Sequence, residues 1–263
     1  MNINARRNDW THTMRLSFPV TFAAYQLLIL TCCLSTVRSG EPSWPQPRMN
    51  VPDKLVYSSD FSESGKIDTT KWQARQGTRW EIIDGVLRGK QSSPEFQAKK
   101  DHHKGLEPRI KSLITPRDFI AKFSFRFIDG EETSLLPLVE FGHHNVRLKF
   151  STTGVRLLAD SESVLLAETK AIKRESGVWY HVVAERKGDE FLIQFLDGPT
   201  LYAKHASLAI PLANASDGLG IAGTRFGVLE IDNVELWSIT STQLKSWEST
   251  RDQILTANPV RLK

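Results

Sequence analysis

Residues 119–127 read Phe-Ile-Ala-Lys-Phe-Ser-Phe-Arg-Phe, with bulky aromatic side chains two apart. Successive side chains of a strand point to opposite faces, so a period of two lines up one apolar face, whereas a helix would scatter these rings around its axis. The same rhythm recurs along the chain after residue 54. It is carried by Leu55–Phe61, Trp80–Asp84, Val86–Lys90, Arg109–Thr115, Leu135–Phe141, Val146–Ser151, Val155–Ala159 and Val164–Glu168. Trp179–Arg186, Glu190–Leu196, Leu201–Lys204, Leu219–Ala222 and Val228–Trp237 continue it. Asp84-Gly85, Thr153-Gly154 and Lys187-Gly188-Asp189 supply turns between neighbours, Asp-Gly being the strongest short hairpin signal. Short strands at close spacing, without intervening helical patterns, predict one all-β sandwich or barrel over residues 55–239 and exclude βαβ units.

The flanks differ in kind. Arg6, Arg7 and Arg15 precede an apolar run from Leu16 to Leu34, and Val37 and Ser39 suit signal-peptidase cleavage near Ser39–Gly40. Residues 1–39 are therefore expected to be a signal peptide that exports the chain to the periplasm or the outside, the alternative being an uncleaved membrane anchor. Residues 40–54 hold four prolines and are expected to be a linker. Residues 240–263 are expected to form a helical tail, capped at Thr242 and docked through Trp247 in a stripe with Leu244, Ile254 and Leu255.

The leader also changes the charge and the redox chemistry. Both cysteines, Cys32 and Cys33, lie within it, so the remainder has no disulfide, Cys metal site or Cys nucleophile. Residues 1–39 carry four Arg and one Asp, leaving 30 basic and 29 acidic residues and a net charge of +1. That balance argues against a nucleic-acid partner, and no membrane partner is expected once the leader is removed.

Several segments in order carry a family resemblance. They are Asp60–Gln73 with Trp80–Gly89, then Arg117–Phe127, Val178–Gly198 and Asp217–Trp237 (DGLGIAG…GVLEIDNVELW). Together they resemble the concanavalin A-like lectin/glucanase superfamily, and more narrowly the secreted bacterial 3-keto-disaccharide hydrolase domains, formerly a domain of unknown function. The resemblance implies a jelly-roll β-sandwich with a short C-terminal helix, and a glycan context. Where members of that family carry an Asn-Ser-Gly segment, this chain reads LLPLVEFGHHNVRLKF.

Four sets of residues carry candidate chemistry. Glu230, Asp232 and Glu235 resemble the E-x-D-x-x-E signature of family 16 glycoside hydrolases, and retaining glycosidases need two carboxyl groups about 5–5.5 Å apart. In a plain strand Glu230 and Glu235 face opposite ways. A bulge at Asp232-Asn233 would bring them to one face and keep Leu229, Ile231, Val234 and Leu236 in the core. On a closing strand these residues are more simply framework. Asp232 could instead share a structural calcium with Asp60, calcium favouring carboxylate oxygens; no other cofactor is required. Glu140, His143 and His144 are candidate catalytic residues, and a metal or sugar site would arise if their turn met the His102-His103 loop and Arg147. Trp72, Arg79 and Arg147 are candidate sugar contacts, a ring to stack on a pyranose and cations to bind its hydroxyls.

The function expected is an exported domain that binds polysaccharide or glycoside on a concave sheet face. The alternatives are a glycoside hydrolase or 3-keto-glycoside hydrolase, and a structural or adhesive surface domain. Converging titratable groups in a cleft would favour the enzyme, a shallow face with exposed aromatics the binder, and neither feature the structural module.

Overall fold

The computed structural model describes residues 43–142, 144–159, 164–209 and 218–257. The expected signal peptide lies outside the described residues, as does His143. In chain order the strands are β1 (Asn50–Ser59), β2 (Trp72–Ala74), β3 (Arg79–Ile83), β4 (Val86–Lys90), β5 (Arg109–Ser112), β6 (Phe119–Ile128), β7 (Leu138–Phe141) and β8 (Val146–Ser151). They continue with β9 (Gly154–Ala159), β10 (Val164–Thr169), β11 (Tyr180–Lys187), β12 (Glu190–Phe195), β13 (Thr200–Lys204), β14 (Leu219–Ala222) and β15 (Val228–Gln243). The helices are α1 (Pro94–Ala98) and α2 (Trp247–Ala257).

The strands form two antiparallel sheets. The larger runs β13-β12-β11-β6-β15-β4-β3, with β1 pairing to the far half of β15; the smaller runs β10-β9-β8-β7-β14-β5-β2. Phe119, Phe123, Phe125 and Phe127 point inward from β6, meeting Phe141 and Phe150 across the sandwich and Tyr180 on the adjacent strand β11. Ring centroids lie 5.0 Å apart for Phe119–Phe141 and 5.3 Å for Phe125–Phe150, the spacing of favourable aromatic pairs. Asp84 and Gly85 take φ of 53° and 74°, the left-handed pair that a type I′ hairpin demands.

Two expected boundaries move. The proline-rich stretch is no free linker from residue 43 onward: Glu185, fully buried on β11, accepts the backbone N–H groups of Arg48 (2.7 Å), Met49 (3.1 Å) and Asn50 (2.7 Å). β1 then starts at Asn50, and Pro52 is tolerated because β1 is an edge strand. At the other end β15 runs on to Gln243, so Thr242 lies in a strand and the helix begins at Trp247. Trp247 docks it as expected, packing with Met49, Leu192, Tyr202 and Ile254 on the outer side of the larger sheet. Glu190 gathers the joint, accepting from Tyr202 Oη (2.6 Å) and Gln243 Nε2 (2.9 Å). Among the described residues no helix is long and apolar enough to cross a membrane.

Candidate functional site

The outer face of the smaller sheet carries a cleft of about 1170 Å³, and strand alternation selects its floor. In β5, Ile110 and Ser112 turn inward while Arg109 and Lys111 turn out. In β7, Val139 and Phe141 join the core while Leu138 and Glu140 face the cleft. In β8, Val146, Leu148 and Phe150 are core and Arg147 is outward; in β14, Leu219 and Ile221 are core and Gly220 is outward. Cross-strand register aligns these outward residues into one row, Gln73–Lys111–Gly220–Glu140–Arg147, spanning five strands. The next row places Arg109, Ala222 and Leu138 side by side, and Leu138 and Ala222 pack with Leu135 and Leu136 into an apolar patch at one end.

Loops raise the walls. Residues 101–107 fold against residues 75–78, where the Gln76 amide meets His103 Nδ1 at 3.1 Å. Gly105 permits that approach: it sits at φ +65°, and a Cβ there would lie 2.2 Å from the Gln76 carbonyl oxygen. On the floor, Arg147 Nε donates to Glu140 Oε2 at 2.7 Å, and Arg147 Nη2 also bonds His144 Nδ1. Arg147 is 5% exposed, so its planar guanidinium holds Glu140 and His144 in fixed positions on the cleft floor. Glu107 accepts from Arg109 Nη2 at 3.2 Å. The result is a polar floor with oriented acceptors and cations. No carboxylate stands beside Glu140 in its row, whose neighbours are Gly220 and Arg147.

Glu140, His144 and Arg147 therefore meet as expected, and the His102-His103 loop joins them around one cleft. Trp72 does not: it is 2% exposed in the central core, with Nε1 donating to Tyr57 Oη at 2.9 Å. Its indole faces inward because β2 turns Gln73, not Trp72, toward the cleft. Arg79 lies on β3 of the other sheet, with Nε donating to the Gln91 carbonyl at 3.0 Å.

The Glu230–Asp232–Glu235 cluster lies on β15 of the larger sheet, outside the cleft. The expected bulge is present: pairing with β6 slips by one residue between Asp232 and Glu235, with Asn233 at φ +50°. Glu230 is 0% exposed and clamped by Arg88 (2.6 Å) and Arg126 (2.5 Å), while Glu235 pairs with Lys122 at 3.0 Å. These carboxylates hold strands together. Asp232 accepts from the N–H (2.7 Å) and side-chain amide (3.0 Å) of Asn233, and Asp60 Oδ1 accepts from the Ser62 N–H at 3.0 Å. Among the described residues no group of three or more His, Cys, Asp or Glu side chains could hold a metal ion.

Residues not singled out from sequence complete the cleft: Gln73, Arg75, Lys104, Arg109, Lys111 and Gly220. The signal for them was the Arg-Ile-Lys alternation of β5 and a glycine inside an apolar strand, which marks open space or a close approach.

Neither a family model nor a curated protein sequence matches the chain. Solved structures do. SCLam, a non-specific endo-β-1,3(4)-glucanase of family GH16, aligns with a TM-score of 0.52 at 11% identity, over 76% of this chain and 95% of its own. A chain from work on the endo-acting O-glycanases with which human gut microbiota initiate mucin breakdown aligns at 0.50 and 11% identity, over 71% and 100%. The carbohydrate-binding module CBM66 from Bacillus subtilis aligns at 0.44 and 14% identity, over 64% and 96%. Two stacked antiparallel sheets with one short C-terminal helix, aligned on the glucanase, define a jelly-roll β-sandwich of the concanavalin A-like type.

Proposed function

We propose that the protein binds a carbohydrate chain along the cleft of the smaller sheet, as an exported domain. The observation that carries this reading is the row Gln73–Lys111–Gly220–Glu140–Arg147, polar side chains around a bare glycine at the bottom of an open groove. Hydroxyl-rich ligands need such oriented donors and acceptors. The GH16 glucanase that shares the fold acts on β-1,3(4)-glucan, which supports a glycan ligand without naming it.

A second reading, hydrolysis of a glycoside or 3-keto-glycoside, has on its side the feature named above for an enzyme, whereas the described lining residues hold no Trp, Tyr or Phe. Glu140 and His144 converge on Arg147 within the cleft, a candidate acid–base pair. A glycan array combined with a hydrolysis screen that includes 3-keto-glycosides separates the two. Binding without turnover is the expected result. Absence of binding to any glycan overturns the proposal, and turnover abolished by Glu140→Gln replaces it with the enzyme.

A further inference from the structure

We propose that the glycan taken by this cleft is an acidic one, whose carboxylate or sulfate groups are met by the cations of the cleft; the inference rests on the carbohydrate reading above. Five cationic side chains line the groove, Arg75, Lys104, Arg109, Lys111 and Arg147, against three acids, Asp101, Glu107 and Glu140. Beyond residue 39 the whole chain carries a net charge of only +1. The surplus in the cleft thus exceeds that of the chain from which it is drawn, and the remainder is slightly acidic.

The pairing within the cleft sharpens the bias. Glu107 is held by Arg109 and Glu140 by Arg147, so two acids and two cations cancel, and the count that remains is three cations against Asp101. Among the described residues no carboxylate pairs with Arg75 or Lys104, and both stand on the loops that wall the groove. Arg75, which lines the groove, makes only a 3.4 Å contact to the Gln73 amide oxygen by its guanidinium, which leaves it further donors for a ligand.

The lining also lacks what a neutral sugar uses most. Among the described lining residues there is no Trp, Tyr or Phe on which a pyranose could stack. Affinity must come from hydrogen bonds, and those from a guanidinium or ammonium to an anion are roughly twice as strong as neutral ones. Lys111 lies on the floor in β5 while Arg75 and Lys104 stand on the wall loops, so cations are spread around the groove rather than focused at one point. A linear chain with a charge on successive units matches that spread.

The test is calorimetric titration of the full chain with oligogalacturonate, a chondroitin sulfate oligosaccharide, neutral laminari- and cello-oligosaccharides of similar length, and a single-stranded DNA oligonucleotide. One or both acidic glycans are expected to bind about tenfold or more tighter than the neutral ones, with affinity falling as salt rises. The uronate and sulfate arms tell which anion is preferred. Arg75→Ala and Lys104→Ala, both in surface loops, are expected to weaken acidic-glycan binding by about threefold to tenfold each and to flatten the salt dependence. Equal or tighter binding of neutral glycans overturns this inference while leaving the carbohydrate reading standing, as does indifference to both variants. Preference for the oligonucleotide overturns it too, and failure of every glycan to bind overturns the reading beneath it.

Discussion

Gly220 stands directly opposite Glu140 in the ladder between β14 and β7, at the centre of the cleft floor. A Cβ built on it would meet no atom nearer than 3.7 Å, ordinary van der Waals contact, so the backbone accepts a side chain there. Gly220→Leu is expected to leave the melting temperature within a few degrees, since a strand glycine contributes no packing. The new side chain would project into the groove and lower glycan affinity by about tenfold or more, a loss of roughly 1.4 kcal/mol. Unchanged affinity in a titration would remove β14 from the binding floor.

Glu230 tests the opposite assignment. Its carboxylate is buried between Arg88 and Arg126, and Arg126 also lies over the Trp179 ring at 4.7 Å. Glu230→Ala would leave two guanidinium groups side by side without their counter-ion, at a cost of about 3 kcal/mol in urea unfolding. Glycan binding per folded molecule should be unaffected. A hydrolytic activity lost at full stability would place chemistry on β15 instead.

Glu185 should give the fold a pH signature. Burial raises its carboxyl above the ordinary 4.5, although hydrogen bonds from the N–H groups of Arg48, Asn50 and Met49 pull the other way. An acid whose folded-state pKa is raised binds its proton more tightly when folded. Its contribution to stability is therefore full below the unfolded value and is lost as pH rises through the folded one. Denaturation of the native chain minus that of Glu185→Gln, measured from about pH 4 to pH 8, should fall across the window that opens near 4.5. Glu185→Leu leaves three backbone donors without their acceptor and should cost about 3 kcal/mol. A flat difference curve would show that stability does not depend on titration of this residue.

Trp247 ties the C-terminal helix to the body. Its ring meets Tyr202 edge-on at 5.3 Å, and its Nε1 reaches Glu190 at 3.4 Å. Trp247→Ala should free α2 locally, cutting stability by about 3 kcal/mol and making the helix a target for limited proteolysis. Because this joint lies on the larger sheet, cleft binding should persist in the variant; its loss would show that the two faces are coupled.

The period-two pattern made the sandwich legible, because alternation depends on neighbours along the chain and the phenylalanines of β6 state it without ambiguity. The bulge at Asp232-Asn233 was legible for the same reason: the apolar positions of β15 change phase there. What escaped depends on distant partners. The proline-rich segment near residue 48 becomes structured only through Glu185, more than 130 positions away. Trp72 has the composition of a sugar platform, yet the register of β2 turns it inward. Half of the site was visible in Glu140, His144 and Arg147, which share a turn. The cations of β5 and of the 75 and 104 loops come from remote stretches, and only the closing of the sheet gathers them.

The one-residue slip in β15 also bears on how carboxylate signatures arise. A final strand that must keep Leu229 and Ile231 inward before the slip, and Val234 and Leu236 inward after it, returns to the same side after five positions instead of an even number. Acids five apart on such a strand then flank the kink as a matter of mechanics, each free to grip a neighbouring cation. A search that recognises glycosidases by that interval alone will therefore also collect closing strands bent at this point, in which the acidic letters fasten the sheet.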